Sequence, residues 1–265
     1  MKAQVKIGSR VMLLAVGLLL GLAASSQGVT VEGFESGTFG PNEAITGDAG
    51  IQNSYFGINA TEGSKQLLLT TINSTSGSTD NQAGYTNQSG NNSVPAATLA
   101  SFFGVSTGAI LDGSTTGKQG SGFTINLGVL TAGQTISFDY DFMTQEPNDG
   151  SGNKDFAFYT LQLNSGTPSL AVITDVLSAQ SNTPGSSNPF GSQTNYLTMN
   201  ISITQTGTYS FGLGMVDAGN PSDDSPSALL VDNINVNAVP EPSSILLLFA
   251  GTAVLVGLQR VRRHA

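Results

Sequence analysis

The sequence predicts an all-β, antiparallel two-sheet sandwich set between two apolar chain ends. Three observations predict it. Gly, Ser, Thr and Asn abound through the middle of the chain while Glu, Lys, Arg and Gln are scarce, a balance that favours strands and turns over helices. Ile136, Phe138, Tyr140 and Phe142 alternate with Thr135, Ser137, Asp139 and Asp141, the period of a half-buried strand, and Tyr209, Phe211, Leu213 and Met215 repeat the pattern. No helical period separates the dense strand candidates, which argues against a parallel α/β sheet.

The elements follow in chain order. Lys2, Lys6 and Arg10 precede an apolar run from Val11 to Ala24 and small residues up to Gly28, the form of a secretory signal peptide over residues 1–28. Strands are expected at Val29–Glu35, Ile51–Ile58 and Gln66–Ile72. The polar stretch Asn73–Ser93 reads as a loop, and Pro95–Phe103 as one short helix with Pro in its first turn. Further strands are expected at Gly122–Leu127, Gln134–Met143, Asp155–Leu163, Leu170–Leu177, Tyr196–Thr204, Thr208–Val216 and Ala228–Val236. Turn positions at Gly133-Gln134 and Thr206-Gly207 lead into two of them.

Residues 29–239 form the predicted ectodomain. Its 17 acidic residues face three cations (Lys65, Lys118 and Lys154), a net charge of −14. Such a surface repels phosphate backbones and anionic lipid, which excludes nucleic acid as a partner. Cysteine is absent, so no disulfide braces the domain; about 211 residues bury roughly 70% of their unfolded surface and need none.

Catalysis finds no support. The one histidine, His264, lies at the C-terminal end, which rules out Ser-His-Asp, Cys-His and histidine-metal centres in the ectodomain. No Gly-x-Ser-x-Gly, phosphate-binding loop or dinucleotide fingerprint occurs. Asp139 and Asp141 share a face, the residue type of a glycosidase pair, but read as a solvated sheet face. Two acidic loops, Glu146–Asp155 and the group Asp217, Asp223 and Asp224, also read as solvated turns. The first departs from the EF-hand template, with Lys154 in place of its glycine and Thr160 in place of its final glutamate.

The tail has three parts in fixed order: Pro240-Glu241-Pro242, an uncharged apolar run Ile245–Leu258, and Arg260, Arg262 and Arg263. The prolines make a stiff, extended neck that no helix absorbs. The run of 14 residues, 16 with Ser243 and Ser244, is short of the ~20 of a full span, and snorkelling arginines make crossing possible. Arginines beyond it stay cytoplasmic, which puts the ectodomain outside. This order resembles the PEP-CTERM sorting signal of Gram-negative bacteria, in which a Val-Pro-Glu-Pro motif, an apolar helix and an Arg-rich end are recognised by an exosortase. The resemblance implies a sorting signal over residues 240–265, with an inner-membrane helix at 243–259 and exosortase as processing partner. It also implies a membrane-anchored precursor with a periplasmic ectodomain, destined for the envelope, outer surface or extracellular matrix. A plain membrane anchor is the simpler reading of the same residues.

GFESG (Gly33–Gly37), EGSKQLLLTT (Glu62–Thr71) and SALLVDNINV (Ser227–Val236) resemble the jelly-roll sandwiches of carbohydrate-binding modules. SFDYDF, KDFAFYTL and GTYSFGLGMVD are similar to ectodomains that precede PEP-CTERM tails. In the jelly rolls a first-strand Glu and a last-strand Asp help hold a structural calcium, which implies Glu35 and Asp232 here, with Glu62 beside them. Strand alternation puts Asp232 on the face of Leu230, Ile234 and Val236; a carboxylate on a core face needs a cation or hydrogen bonds. Loop amides answer that need as well as calcium does. Two readings follow: a non-catalytic surface or matrix protein, or a calcium-dependent module that binds exopolysaccharide. The absence of Trp weighs against the second, because sugar sites stack rings on aromatic side chains.

Overall fold

A computed structural model describes residues 29–73, 89–110, 117–146, 154–179, 188–218 and 225–237. The signal-peptide segment, Asp223, Asp224, Pro240-Glu241-Pro242, the 243–259 helix and the terminal arginines lie outside the described residues. No helix among the described residues is long and apolar enough to cross a membrane.

Two antiparallel sheets carry the fold. In chain order the strands are β1 (Val29–Glu32), β2 (Glu43–Thr46), β3 (Asp48–Gln52), β4 (Ser54–Tyr55), β5 (Ile58–Asn59), β6 (Gln66–Thr70) and β7 (Val94–Pro95). Helix α1 (Ala96–Phe103) and a 3₁₀ turn (Thr107–Ile110) follow. Then come β8 (Gly117–Leu130), β9 (Thr135–Thr144), β10 (Phe156–Leu163), β11 (Ser169–Asp175), the one-turn α2 (Val176–Ala179), β12 (Ser192–Gln193), β13 (Leu197–Ser202), β14 (Gly207–Ala218) and β15 (Ser227–Asn237). The first sheet runs β12-β9-β15-β6-β3, with β1 beside β15 and β13 beside β9. The second runs β11-β10-β14-β8-β2, with β7 beside β8. The antiparallel two-sheet sandwich is as the sequence predicts.

The two alternating strands meet across the core. Ile136, Phe138, Tyr140 and Phe142 of β9 face Tyr209, Phe211, Leu213 and Met215 of β14, and the rings of Phe138 and Phe211 lie 5.5 Å apart. Phe34 and Phe123 close the other side edge-to-face at 5.6 Å.

Differences from expectation have local causes. The strand expected at Ile51–Ile58 breaks after Gln52, because Phe56 (φ 49°) and Gly57 (φ 85°) take left-handed backbone and turn the small hairpin β4–β5. The strand expected to run to Leu177 ends at Asp175, where the Asp175 carboxylate accepts the Ser178 N–H at 2.9 Å and starts α2. Strand β2 is only four residues long and escaped the pattern.

The outer face of each sheet is also covered. On the first, Tyr55, Phe56, Ile58, Phe190 and Tyr196 pack over Leu68, Met143, Ala228 and Leu230. On the second, α1 lays Leu99, Ala100 and Phe103 on Phe156, Phe158 and Val216. Gly122 and Gly212 allow that approach: a Cβ on Gly122 would lie 2.6 Å from the Phe103 ring, and one on Gly212 would lie 2.4 Å from Thr160 Oγ1. Helix α1 stops at Gly104, left-handed at φ 69°, and Val105 N–H closes the end on Ala100 O at 3.0 Å.

Candidate functional site

Helix α1 covers only part of its sheet. Beyond its C-terminal end lies an open groove of about 160 Å³. Strand register builds the floor: Thr160, Gly212 and Thr124 sit side by side on β10, β14 and β8, and Gln162 and Ser210 are neighbours in the next row. Gly212 contributes no side chain, so the floor dips between the two threonines. Phe102 and Phe103, with rings 5.0 Å apart and near perpendicular, make one wall, and Pro168 makes another. Phe103 is buried and held edge-on by Phe158 at 5.1 Å, while Phe102 is half-exposed. Gln162 is aimed by its own hydrogen bond, Nε2 to Gly166 O at 2.8 Å, which leaves its Oε1 as an acceptor.

Among the described residues, no charged side chain lines this groove. Hydroxyls, one amide and aromatic rings can hydrogen-bond the hydroxyls of a neutral ring and stack on its apolar face. The volume is below the roughly 300–1,000 Å³ of sites that engulf a drug-sized ligand, so the groove suits a unit of a chain lying across the surface.

Of the three residues expected to hold calcium, Glu62 is on the loop that follows β5, and Glu35 and Asp232 are each bonded to that loop. Glu35 accepts Ser64 N–H at 2.7 Å, Lys65 N–H at 2.8 Å and Ser64 Oγ at 3.0 Å. Those amides hold its carboxyl below the usual range. Asp232 accepts the N–H groups of Thr61, Glu62 and Asn233, each at 2.7 Å. The Glu62 carboxylate lies over Gly33, where a Cβ would come within 2.5 Å of it. Loop amides and the Ser64 hydroxyl therefore occupy the oxygens of Glu35 and Asp232. Among the described residues no three acidic or histidine side chains are placed to share a metal.

Asp232 is fully buried, but not on the expected face. The pairing with β9 shifts between Asp232 and Asn235, and Asn233 takes left-handed backbone at φ 56°. This bulge puts Ile234 and Val236 in the core with Leu229 and Val231, and leaves Asp232 on the opposite face with Ala228 and Leu230. Asp139 lies beside it, accepting Thr198 Oγ1 at 2.6 Å and Asn233 Nδ2 at 3.2 Å.

The solvated-face reading of Asp139 and Asp141 fails at Asp141. That carboxyl is buried under the segment before β13, and burial pushes it up to about 6 although Thr194 donates to it at 3.2 Å. The solvated-turn reading fails too: Glu146, Asp155 and Asp217 are all buried and close together.

A second groove, of about 220 Å³, lies between β1 and β2. Glu32 and Glu43 face each other in it, each anchored to a loop amide: Phe34 N–H donates to Glu32 at 2.5 Å and Gly40 N–H to Glu43 at 2.6 Å. Burial, then the hydrogen bond to Glu43, pushes Glu32 up to about 7.

No known family's sequence profile matches the chain, and no curated protein is detectably similar to it. Among solved structures, the chain is similar to a family 61 carbohydrate-binding module in complex with β-1,4-galactotriose, at 10% identity and a TM-score of 0.39 over 78% of this chain and 95% of that one. It is similar to the CBM22-1 xylan-binding domain of Paenibacillus barcinonensis Xyn10C, at 13% identity and a TM-score of 0.37 over 82% and 98%. It is also similar to the K2 cleaved adhesin domain of Lys-gingipain, at 12% identity and a TM-score of 0.36 over 78% and 96%.

Proposed function

We propose that this chain is a non-catalytic exported protein of a bacterial surface or matrix, whose sandwich holds a neutral polysaccharide in the groove beside α1. The uncharged lining carries the reading: Phe102 and Pro168 flank hydroxyls and an amide fixed by strand register. An acidic domain discourages polyanions, while a neutral glycan meets no such penalty. Extracellular polysaccharide is the matching partner, and the tail supplies the address. Pro240-Glu241-Pro242 is the sorting motif read by an exosortase, the 243–259 segment anchors the precursor in the inner membrane, and Arg260, Arg262 and Arg263 hold its end inside.

Two experiments test these parts separately. A glycan array of the full-length chain is expected to show binding to neutral polysaccharides over anionic ones; binding confined to anionic glycans would contradict the groove. Replacing Pro240, Glu241 and Pro242 by alanine is expected to block processing and trap the precursor in the inner membrane. Unchanged processing would sink the sorting role. Calcium at Glu35, Glu62 and Asp232 is the accessory proposal and rests on the jelly-roll resemblance, since loop groups already hold the oxygens of Glu35 and Asp232 and the three are not placed to share a metal. It predicts that EDTA lowers the melting temperature and that calcium restores it.

A further inference from the structure

A second acidic group lies apart from both the groove and the calcium corner, where the two sheets meet at one end. Glu146 follows β9 of the first sheet, Asp155 precedes β10 of the second, and Asp217 is in β14. All three are buried, and Asp155 has no exposed surface. Asp155 ties the end together: its N–H donates to Glu146 Oε2 at 2.9 Å, its Oδ1 accepts Ala218 N–H at 2.9 Å, and its carbonyl accepts Val176 N–H at 3.2 Å. Its other oxygen, Oδ2, is enclosed without a hydrogen-bond partner.

The groups that face it decide its charge. From β14 comes Asp217, from the end of β9 Glu146, and from β15 the hydroxyl of Ser227, which is bonded to Thr144 Oγ1 at 2.8 Å. From β11, Asp175 is engaged with Ser178. Two lysines belong to this end, Lys154 next in the chain and Lys118 in β8 opposite the Asp217–Ala218 step, fewer than the three carboxylates. Two ionised carboxylates sharing a site disfavour each other, and burial disfavours both.

We propose that Glu146, Asp155 and Asp217 form a proton-linked clasp between the sheets, closed while the group holds a proton and loosened when all three ionise. Burial first, then Asp217 and Glu146, raises Asp155 well above the ordinary carboxylate range. An acid raised in the folded state gives stability that is complete below its unfolded value and is lost as pH rises. The end of the sandwich is then tightest in acid and opens toward alkaline pH.

Thermal melts of the full-length chain in mild detergent with EDTA, from pH 5 to pH 8, test this. The wild-type midpoint is expected to fall relative to D155N as pH rises, by roughly 3 °C or more across the range. E146Q, which keeps an acceptor for Asp155 N–H, is expected to act in the same direction if D155N does not accumulate. Hydrogen exchange at Ala218 N–H in the wild type gives a second readout: its protection is expected to fall with pH by more than the intrinsic base-catalysed rate. A constant difference between wild type and both variants, with unchanged Ala218 protection, overturns the clasp. A rise in the wild-type midpoint on adding calcium at pH 8, absent in D155N, also overturns it, because the group would then hold a cation rather than a proton.

Discussion

At the residue scale the groove depends on few atoms. Phe102 offers a half-exposed ring at the rim of the cluster under α1, whereas Phe103 is buried against Phe158. Phe102→Ala is therefore expected to lower glycan affinity about tenfold while moving the melting temperature little, since one lost stacking contact is worth about 1.4 kcal/mol in an equilibrium constant. Phe103→Ala is expected to cost about 3–5 kcal/mol of stability in denaturant unfolding. Glu32 makes a separate pH prediction. Its carboxyl, raised to about 7, stabilises the fold fully below the ordinary glutamate value and loses that contribution as pH rises through about 7. Glu32→Gln is expected to flatten this slope; a wild-type profile identical to the variant's would show that the Glu32 carboxyl is not raised in the fold. Glu35 has the opposite sign. Its lowered value gives stability that is present at neutral pH and disappears in strong acid.

Elements explain why some of this was legible in the sequence and some was not. Strands β9 and β14 could be read because each keeps strict alternation with aromatic residues on the core face. Helix α1 could be read from Pro95 and its apolar residues. The face of Asp232 could not, because one bulged residue reverses the alternation and no period announces a bulge; only Asn233, a residue type tolerant of left-handed backbone, marks it. The groove was equally hidden. Thr124, Thr160 and Ser210 come from three strands far apart in the chain, and register alone makes them neighbours. Glycines inside strands were the available signal, since Gly122 and Gly212 mark where another element comes close. Gly212→Ala puts a methyl against Thr160 and Phe103, and is expected to cost about 1–3 kcal/mol in unfolding and to fill the groove floor.

Taken whole, the molecule keeps its buried acidic groups apart from the groove beside α1. The inter-sheet core is aromatic and continuous, so the absence of disulfides leaves no deficit. Carboxylates collect where sheets and loops join, while among the described residues the groove on the outer face of the second sheet carries none. Under the proposed function, that separation makes glycan binding in the groove independent of the acidic corners. Isothermal titration of wild-type and Phe102→Ala full-length protein with a neutral polysaccharide selected on the array is the most direct test. Measurable wild-type binding, lost about tenfold in the variant and unchanged by EDTA at a temperature where both remain folded, is the predicted result. Equal affinity in the two proteins would contradict the groove as the site.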